Sequence, residues 1–191
     1  MLQTRLENVG RMIILKDKIL VHVPKAGGTA VLTAFGINRW HNGISQTSIA
    51  KLYETDKVET HTPAKDKPVD LPTYAFVRNP WTRTVSRYHY CKKHHKLDCP
   101  FIQFVEEKIV SEEYKWGPTS WQQQVEWLED STVIMKMEEG LEYHLEHTLG
   151  HKLSVPIFNS SNIDNYNSYF NNRTRNLIGD YYKDDIERFN Y

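Results

Sequence analysis

The residues best suited to chemistry lie in Pro24-Lys25-Ala26-Gly27-Gly28-Thr29-Ala30, directly after the apolar run Ile19-Leu20-Val21-His22-Val23. That run reads as a buried strand. Pro24 stops it, the glycines allow a tight turn, and Thr29 opens a helical segment reaching Phe35. A strand, a glycine-bearing turn and a helix start together make an anion site. The first amides of a helix lack intrahelical acceptors, and the helix dipole favours negative charge beside them. Lys25 adds a full positive charge, so the expected ligand is a phosphate or a relative of one. In the nucleotide-triphosphate loop G-x-x-x-x-G-K-[ST] the lysine follows the glycines; here it precedes them and leaves from the strand end. On its own the segment also fits an ordinary tight βα turn.

A second group follows in Phe76-Val77-Arg78-Asn79-Pro80-Trp81-Thr82-Arg83-Thr84-Val85-Ser86-Arg87-Tyr88. Arg78 stands at the end of a strand, and Ser86 about two turns into the next helix. A guanidinium fork and a hydroxyl suit a terminal phosphate. A structural salt bridge for Arg78 and packing within the helix for Ser86 fit the same residues. His61 follows the short strand candidate Val58–His61, where a near-neutral imidazole could act as a general base or serve a structural role.

The elements that must position these groups alternate. One or two strand-like runs fill 12–23, and a helix starts at Thr29. The Asn38–Ser45 region reads as a loop, Ser45–Tyr53 as a weak helix, and Ala64–Pro72 as a surface connection. Thr73–Val77 is a clear strand; Asn79 caps a helix with Pro80 at its first position, running to about His94. Segments 100–110 and 119–129 read as helical, Ser131–Met137 as a strand, and Glu138–Leu149 as a helix. A loop at 159–168 leads into a final helix from about Arg173 to Phe189. Leu177, Ile178, Tyr181, Tyr182, Ile186 and Phe189 recur there at helical spacing. Strands alternating with helices imply a parallel α/β sheet. Ligands of such sheets bind at the C-terminal strand ends, where Lys25, His61 and Arg78 all fall.

Composition narrows the function classes. The 191 residues suit one domain, 1–191. Lys plus Arg total 24 and Asp plus Glu 24, so no overall basic field favours nucleic acid. The N-terminal stretch carries acids without a long apolar core, so no signal peptide is expected, and no run approaches membrane-spanning length. Cys91 and Cys99 are the only cysteines, expected reduced rather than bridged. His89, Cys91, His94, His95 and Cys99 have irregular spacing for a metal site. With Lys92, Lys93 and Lys96 they read as a solvated basic helix end or a contact for an anionic acceptor. Trp40, Trp81, Trp116 and Trp121 could stack on sugars or fill core. Gln122-Gln123-Gln124 could bind a polar acceptor or form an exposed helix face.

Taken together, the two motifs resemble the sulfotransferases that use 3′-phosphoadenosine 5′-phosphosulfate (PAPS). The likeness is to the carbohydrate branch that includes the chondroitin and heparan sulfate 2-O enzymes. Pro24 to Ala30 is similar to that family's 5′-phosphosulfate loop. Phe76 to Trp81, with Arg83 and Val85 to Tyr88, is similar to its 3′-phosphate motif. His61-Thr62-Pro63-Ala64-Lys65 and the tail Asp180 to Tyr191 also resemble family segments, so the likeness runs in order over 19–191.

The resemblance implies a P-loop-like three-layer α/β sandwich with a central parallel sheet flanked by helices. It implies transfer of a sulfuryl group from PAPS to an acceptor hydroxyl on a carbohydrate, leaving 3′-phosphoadenosine 5′-phosphate (PAP). Lys25 and the amides of Ala26, Gly27, Gly28, Thr29 and Ala30 would hold the phosphosulfate, and Arg78 and Ser86 the 3′-phosphate. His61 would be the base, a role that Glu or Asp fills in some branches. No metal is required. The expected partners are the nucleotide donor and a glycan acceptor, without nucleic acid or a membrane span, in a cytoplasmic enzyme of bacterial or viral origin or a trimmed form. The chain departs from the pattern at Asn159-Ser160-Ser161, where the family often has Asn-Lys-Ser; Ser161 can match, but the lysine is absent. Glu138 matches a recurrent glutamate for which a structural role fits equally. A P-loop-type kinase or hydrolase is the alternative enzyme, disfavoured by the reversed lysine–glycine order and by the lack of a strand-end Asp for Mg²⁺. A non-catalytic nucleotide- or glycan-binding module would need Arg78 and Ser86 but not Lys25 or His61.

Overall fold

The computed structural model describes residues 12–15, 17–35, 63–67, 70–109, 122–156 and 165–191. Its sheet has strands β1 (Met12–Ile14), β2 (Ile19–Val21), β3 (Thr73–Val77) and β4 (Val133–Lys136) in that spatial order. The first pair is antiparallel; β2, β3 and β4 are parallel. All of β2 is buried, as is most of β3, which matches the uninterrupted apolar character of both segments. The architecture is therefore mixed α/β with a three-stranded parallel core.

Register fixes where the loops emerge. Val21 lies opposite Ala75, and Val77 opposite Lys136. Extending both ladders sets Pro24 level with Arg78 and Met137, and Lys25 level with Asn79 and Glu138. Neighbouring strands are about 4.8 Å apart, so three connections leave one edge of the sheet side by side.

Helix α1 (Gly28–Ala34) follows β2, and α2 (Pro80–His95) follows β3. The Asn79 carboxamide accepts from the Trp81 and Thr82 amides, with Pro80 at the first helical position. This is the cap expected from the sequence. Helix α3 (Phe101–Phe104) runs into a π-turn at Val105–Ile109. The expected helix over 119–129 is, where described, only a 3₁₀ turn at Gln124–Trp127. The Gln123 and Gln124 side chains bond across to other elements instead. The expected helix 138–149 is a 3₁₀ turn (Met137–Glu139) and α4 (Leu141–His147), separated by Gly140 at φ 106°. The terminal helix divides at Tyr182 into α5 (Asn172–Tyr181) and α6 (Lys183–Phe189).

Two apolar clusters hold these parts. One gathers Leu20, Val21, Val31, Phe35, Phe76, Met135, Leu145 and Leu149 around the sheet, α1 and α4. The other packs Val85, Tyr88 and Cys91 of α2 against Phe101, Phe104, Ile178 and Tyr182. Cys91 and Cys99 carry free thiols. Among the described residues no helix is long and apolar enough to cross a membrane.

Candidate functional site

The loop after β2 turns on two left-handed residues, Lys25 at φ 67° and Gly27 at φ 79°. Left-handed backbone is free for glycine but costs a side-chain-bearing residue roughly 1–2 kcal/mol, so Lys25 occupies a conformation that the turn imposes on it. Gly28 cannot carry a side chain in this packing: a Cβ there would lie 1.8 Å from the His22 ring. A Cβ on Gly27 would come within 3.2 Å of Leu141. The Ala26 amide donates to Val23 C=O (3.4 Å), and the Ala30 amide to Gly27 C=O (3.0 Å). Both ends of the expected amide set are thus engaged within the loop itself. Gly27, Gly28 and Thr29 supply the amides between them at the start of α1.

The turn after β3 is held by side chains. The Arg78 amide donates to Gln124 Oε1 (2.9 Å), and Gln124 Nε2 donates back to Arg78 C=O (2.8 Å). The Asn79 amide donates to Glu138 Oε1 (2.8 Å), whose second oxygen accepts from the Tyr191 hydroxyl (3.0 Å). Burial and the Glu138 charge both push the Tyr191 phenol upward from its ordinary value. The Arg78 guanidinium, half-buried, donates through Nε to Thr82 Oγ1 (3.2 Å) and through Nη2 to the Tyr166 hydroxyl (3.1 Å).

Helix α2 joins the two lobes. Thr82, Ser86 and Tyr90 recur at i, i+4 and i+8, and so form one stripe along the helix. Thr82 meets Arg78 at one end, and at the other Lys25 Nζ lies 4.4 Å from the centre of the Tyr90 ring. Ser86, partly exposed, occupies the turn between them. Beside the stripe, Arg83 is 2% exposed and donates through Nε to Pro24 C=O (3.0 Å) and through Nη1 to Gln122 C=O (3.1 Å). Arg87 is buried too, and its guanidinium is pushed below its ordinary value by that burial. The same burial pushes the Cys91 thiol up, while Arg87 and Lys25 pull it the other way.

The structure therefore brings the 24–30 loop, Arg78 and the Ser86 stripe to one edge. His61 and Ser161 lie outside the described residues, as do the Val58–His61 segment and Trp40, Trp116 and Trp121. The donor set consists of an ammonium, a guanidinium, a serine hydroxyl and helix-start amides. It is complementary to anions and presents them in two places. Among the described residues no three His, Cys, Asp or Glu side chains group as metal ligands.

Sequence reasoning missed the supports. Gln124 is not part of an exposed helix face: it is fully buried and also donates to Asp185 Oδ2 (3.0 Å). Asp185 is fully buried, and burial raises its carboxyl pKa against the opposing pull of Arg83 and its hydrogen bonds. A signal existed, since Asp185 interrupts the stripe Ile178, Tyr182 and Phe189, all buried. A carboxylate on an apolar stripe needs a partner.

No protein-family model matches the chain, and no curated protein shows significant similarity to it.

Proposed function

We propose that the chain is a PAPS-dependent sulfotransferase of P-loop-like sandwich form, acting on a carbohydrate hydroxyl. One observation carries the reading: the parallel register of β2 and β3, extended past Val21 and Ala75, brings Pro24 at the root of the Lys25 loop level with Arg78, with Ser86 between them on a helix that touches both. A nucleotide with phosphate groups at both its 3′ and 5′ positions needs two separate anion sites at a fixed spacing, and an ordinary βα turn needs neither.

In this reading the donor set fits the nucleotide without a metal ligand. Lys25 and the amides of Gly27, Gly28 and Thr29 bind the 5′-phosphosulfate end, and Lys25 offsets charge that develops on the bridging oxygen. Arg78 and Ser86 bind the 3′-phosphate, which separates this nucleotide from an ordinary adenine nucleotide. When bound, PAPS supplies an activated sulfuryl group: sulfur bonds to the acceptor oxygen as its bond to the 5′-phosphate oxygen breaks. His61 receives the proton of the acceptor hydroxyl. The rest of the rate comes from positioning, as in phosphoryl transfer.

Transfer of labelled sulfate from PAPS to a panel of oligosaccharides, with PAP release followed in parallel, tests the reading. Lys25→Ala lowers turnover about 10²–10³-fold, a loss well beyond the roughly tenfold expected in PAP affinity from one removed charge contact. Undiminished turnover in that variant contradicts the assigned chemistry.

A further inference from the structure

The Arg78 turn owes its position to groups that make no contact with a phosphate. Both main-chain groups of Arg78 pair with the Gln124 carboxamide, as a neighbouring strand would pair with them. The second Nε2 hydrogen of Gln124 goes to Asp185 Oδ2, and Asp185 Oδ1 accepts from the Val125 amide (2.9 Å). The carboxamide thus has its oxygen and both hydrogens engaged, and its orientation is set by the carboxylate behind it. The Gln123 side chain ties the same segment to α6, accepting from the Asp184 amide (3.0 Å) and donating to Asp184 Oδ2 (3.0 Å).

The segment also reaches the other lobe. Gln122 C=O accepts from Arg83, which holds Pro24 C=O at the root of the Lys25 loop. Residues 122–125 therefore brace the main chain of both loops, with α6 as the backing. A fully buried carboxylate is an expensive way to dock a helix, since apolar residues of similar size usually do as well or better. Its location against the side chain that pairs with the Arg78 main chain gives it a different use.

We propose that Gln124 and Asp185 are positioning residues: the pair fixes the Arg78 main chain at the level of the Lys25 loop and so sets the distance over which one nucleotide can be held by both its phosphates. The proposal rests on the sulfotransferase reading for the ligand. It makes selectivity for a 3′,5′-bisphosphorylated nucleotide depend on a side chain that never touches it. Replacing Asp185 by Asn keeps the shape but leaves one acceptor for two donors, so either Gln124 Nε2 or the Val125 amide faces an N–H₂ group and the hold on the 124–125 segment weakens.

The test is calorimetric titration of the full chain, wild type, Gln124→Ala and Asp185→Asn, with PAP and with AMP. Gln124→Ala should weaken PAP about tenfold or more while AMP stays within about twofold. Asp185→Asn should shift the ratio in the same direction and raise KM for PAPS with kcat nearly unchanged. A merely structural pair would lower thermal stability and leave the PAP/AMP ratio alone. If Gln124→Ala does not fold, Asp185→Asn carries the test by the same ratio. Wild type that prefers PAP, with both variants keeping that preference, overturns this inference and leaves the sulfotransferase reading standing. Wild type with no preference for PAP overturns both.

Discussion

The loop that carries Lys25 is shaped by its own backbone, whereas the turn that carries Arg78 is shaped by side chains arriving from elsewhere. In the first, two left-handed residues and a glycine pressed against His22 dictate the path. In the second, Gln124, Glu138 and Tyr166 reach across 46, 59 and 88 positions of sequence to hold two residues. Under the proposed function the two solutions suit different tasks. A group that must neutralise developing charge gains from a rigid, self-contained turn. A group that must recognise a distant phosphate needs its place set relative to the rest of the fold. Strain at Lys25 belongs to the first kind, because backbone held in an uncommon region persists only where the surroundings over-determine it.

Breaking the self-contained loop should have the larger effect on stability. Gly28→Ala forces a methyl into the His22 ring and is expected to cost about 2 kcal/mol, the usual range for overpacking. In a His22→Ala background the added cost should drop below about 1 kcal/mol. Denaturant midpoints of the four proteins in that cycle measure both numbers. An unchanged cost in the double variant would mean that the loop backbone, not the ring, resists the methyl.

On the other side of the comparison, Asn79→Ala removes the cap of α2 and should cost about 1 kcal/mol. Asn79→Asp, which keeps an acceptor at the helix start, should recover most of it. The glutamate that holds the Asn79 amide lies close enough to couple with such a change, so the Asp variant should recover further in Glu138→Gln. Urea unfolding of the set decides whether the turn is held by its cap or by its distant partners.

The smallest expected effect concerns pH. Burial, and then Lys92, hold the His89 imidazole below its usual value, with the Tyr169 hydroxyl 2.7 Å from Nε2. The unfolded chain therefore takes up this proton first, near pH ~6.5. Stability from this group is complete above that value and declines as pH falls through it toward the lower folded value. His89→Gln should flatten the midpoint-against-pH curve in that window and leave it unchanged at pH 8. A curve of unaltered slope would assign the acid sensitivity to His95 or His151, whose pKa values are also lowered by burial.

How much of this could be read from sequence follows the same division. The strand–turn–helix around Lys25 and the Asn79-Pro80 cap are local, so residue types at short spacing announce them. The parallel pairing of β2, β3 and β4 was legible as alternation of apolar runs with helices. The Gln124–Asp185 pair was legible only on the Asp185 side, where a carboxylate interrupts an apolar stripe; a glutamine run carries no sign of its partner 61 positions away. The helix expected over 119–129 fails for the same reason where the segment is described: Gln123 and Gln124 bond to distant elements, Gln124 from a fully buried position. The terminal helix was read as continuous because its apolar spacing runs through Tyr182, where the backbone nonetheless leaves helical geometry. Lys25 in left-handed backbone gave no signal, since the neighbouring glycines looked sufficient for the turn. His61 rests on its place at the end of a strand candidate and on the family likeness, and Ser161 on the likeness alone; both lie outside the described residues.

In the proposed function two anion sites recognise one nucleotide by both its phosphates. Calorimetric titration of wild type and Arg78→Ala with PAP, AMP and ATP-Mg²⁺ tests it most directly. Wild type should prefer PAP, and Arg78→Ala should lose about 10–100-fold in PAP affinity while AMP binding is nearly unchanged. Preference for ATP-Mg²⁺, or equal loss of PAP and AMP in the variant, would contradict it.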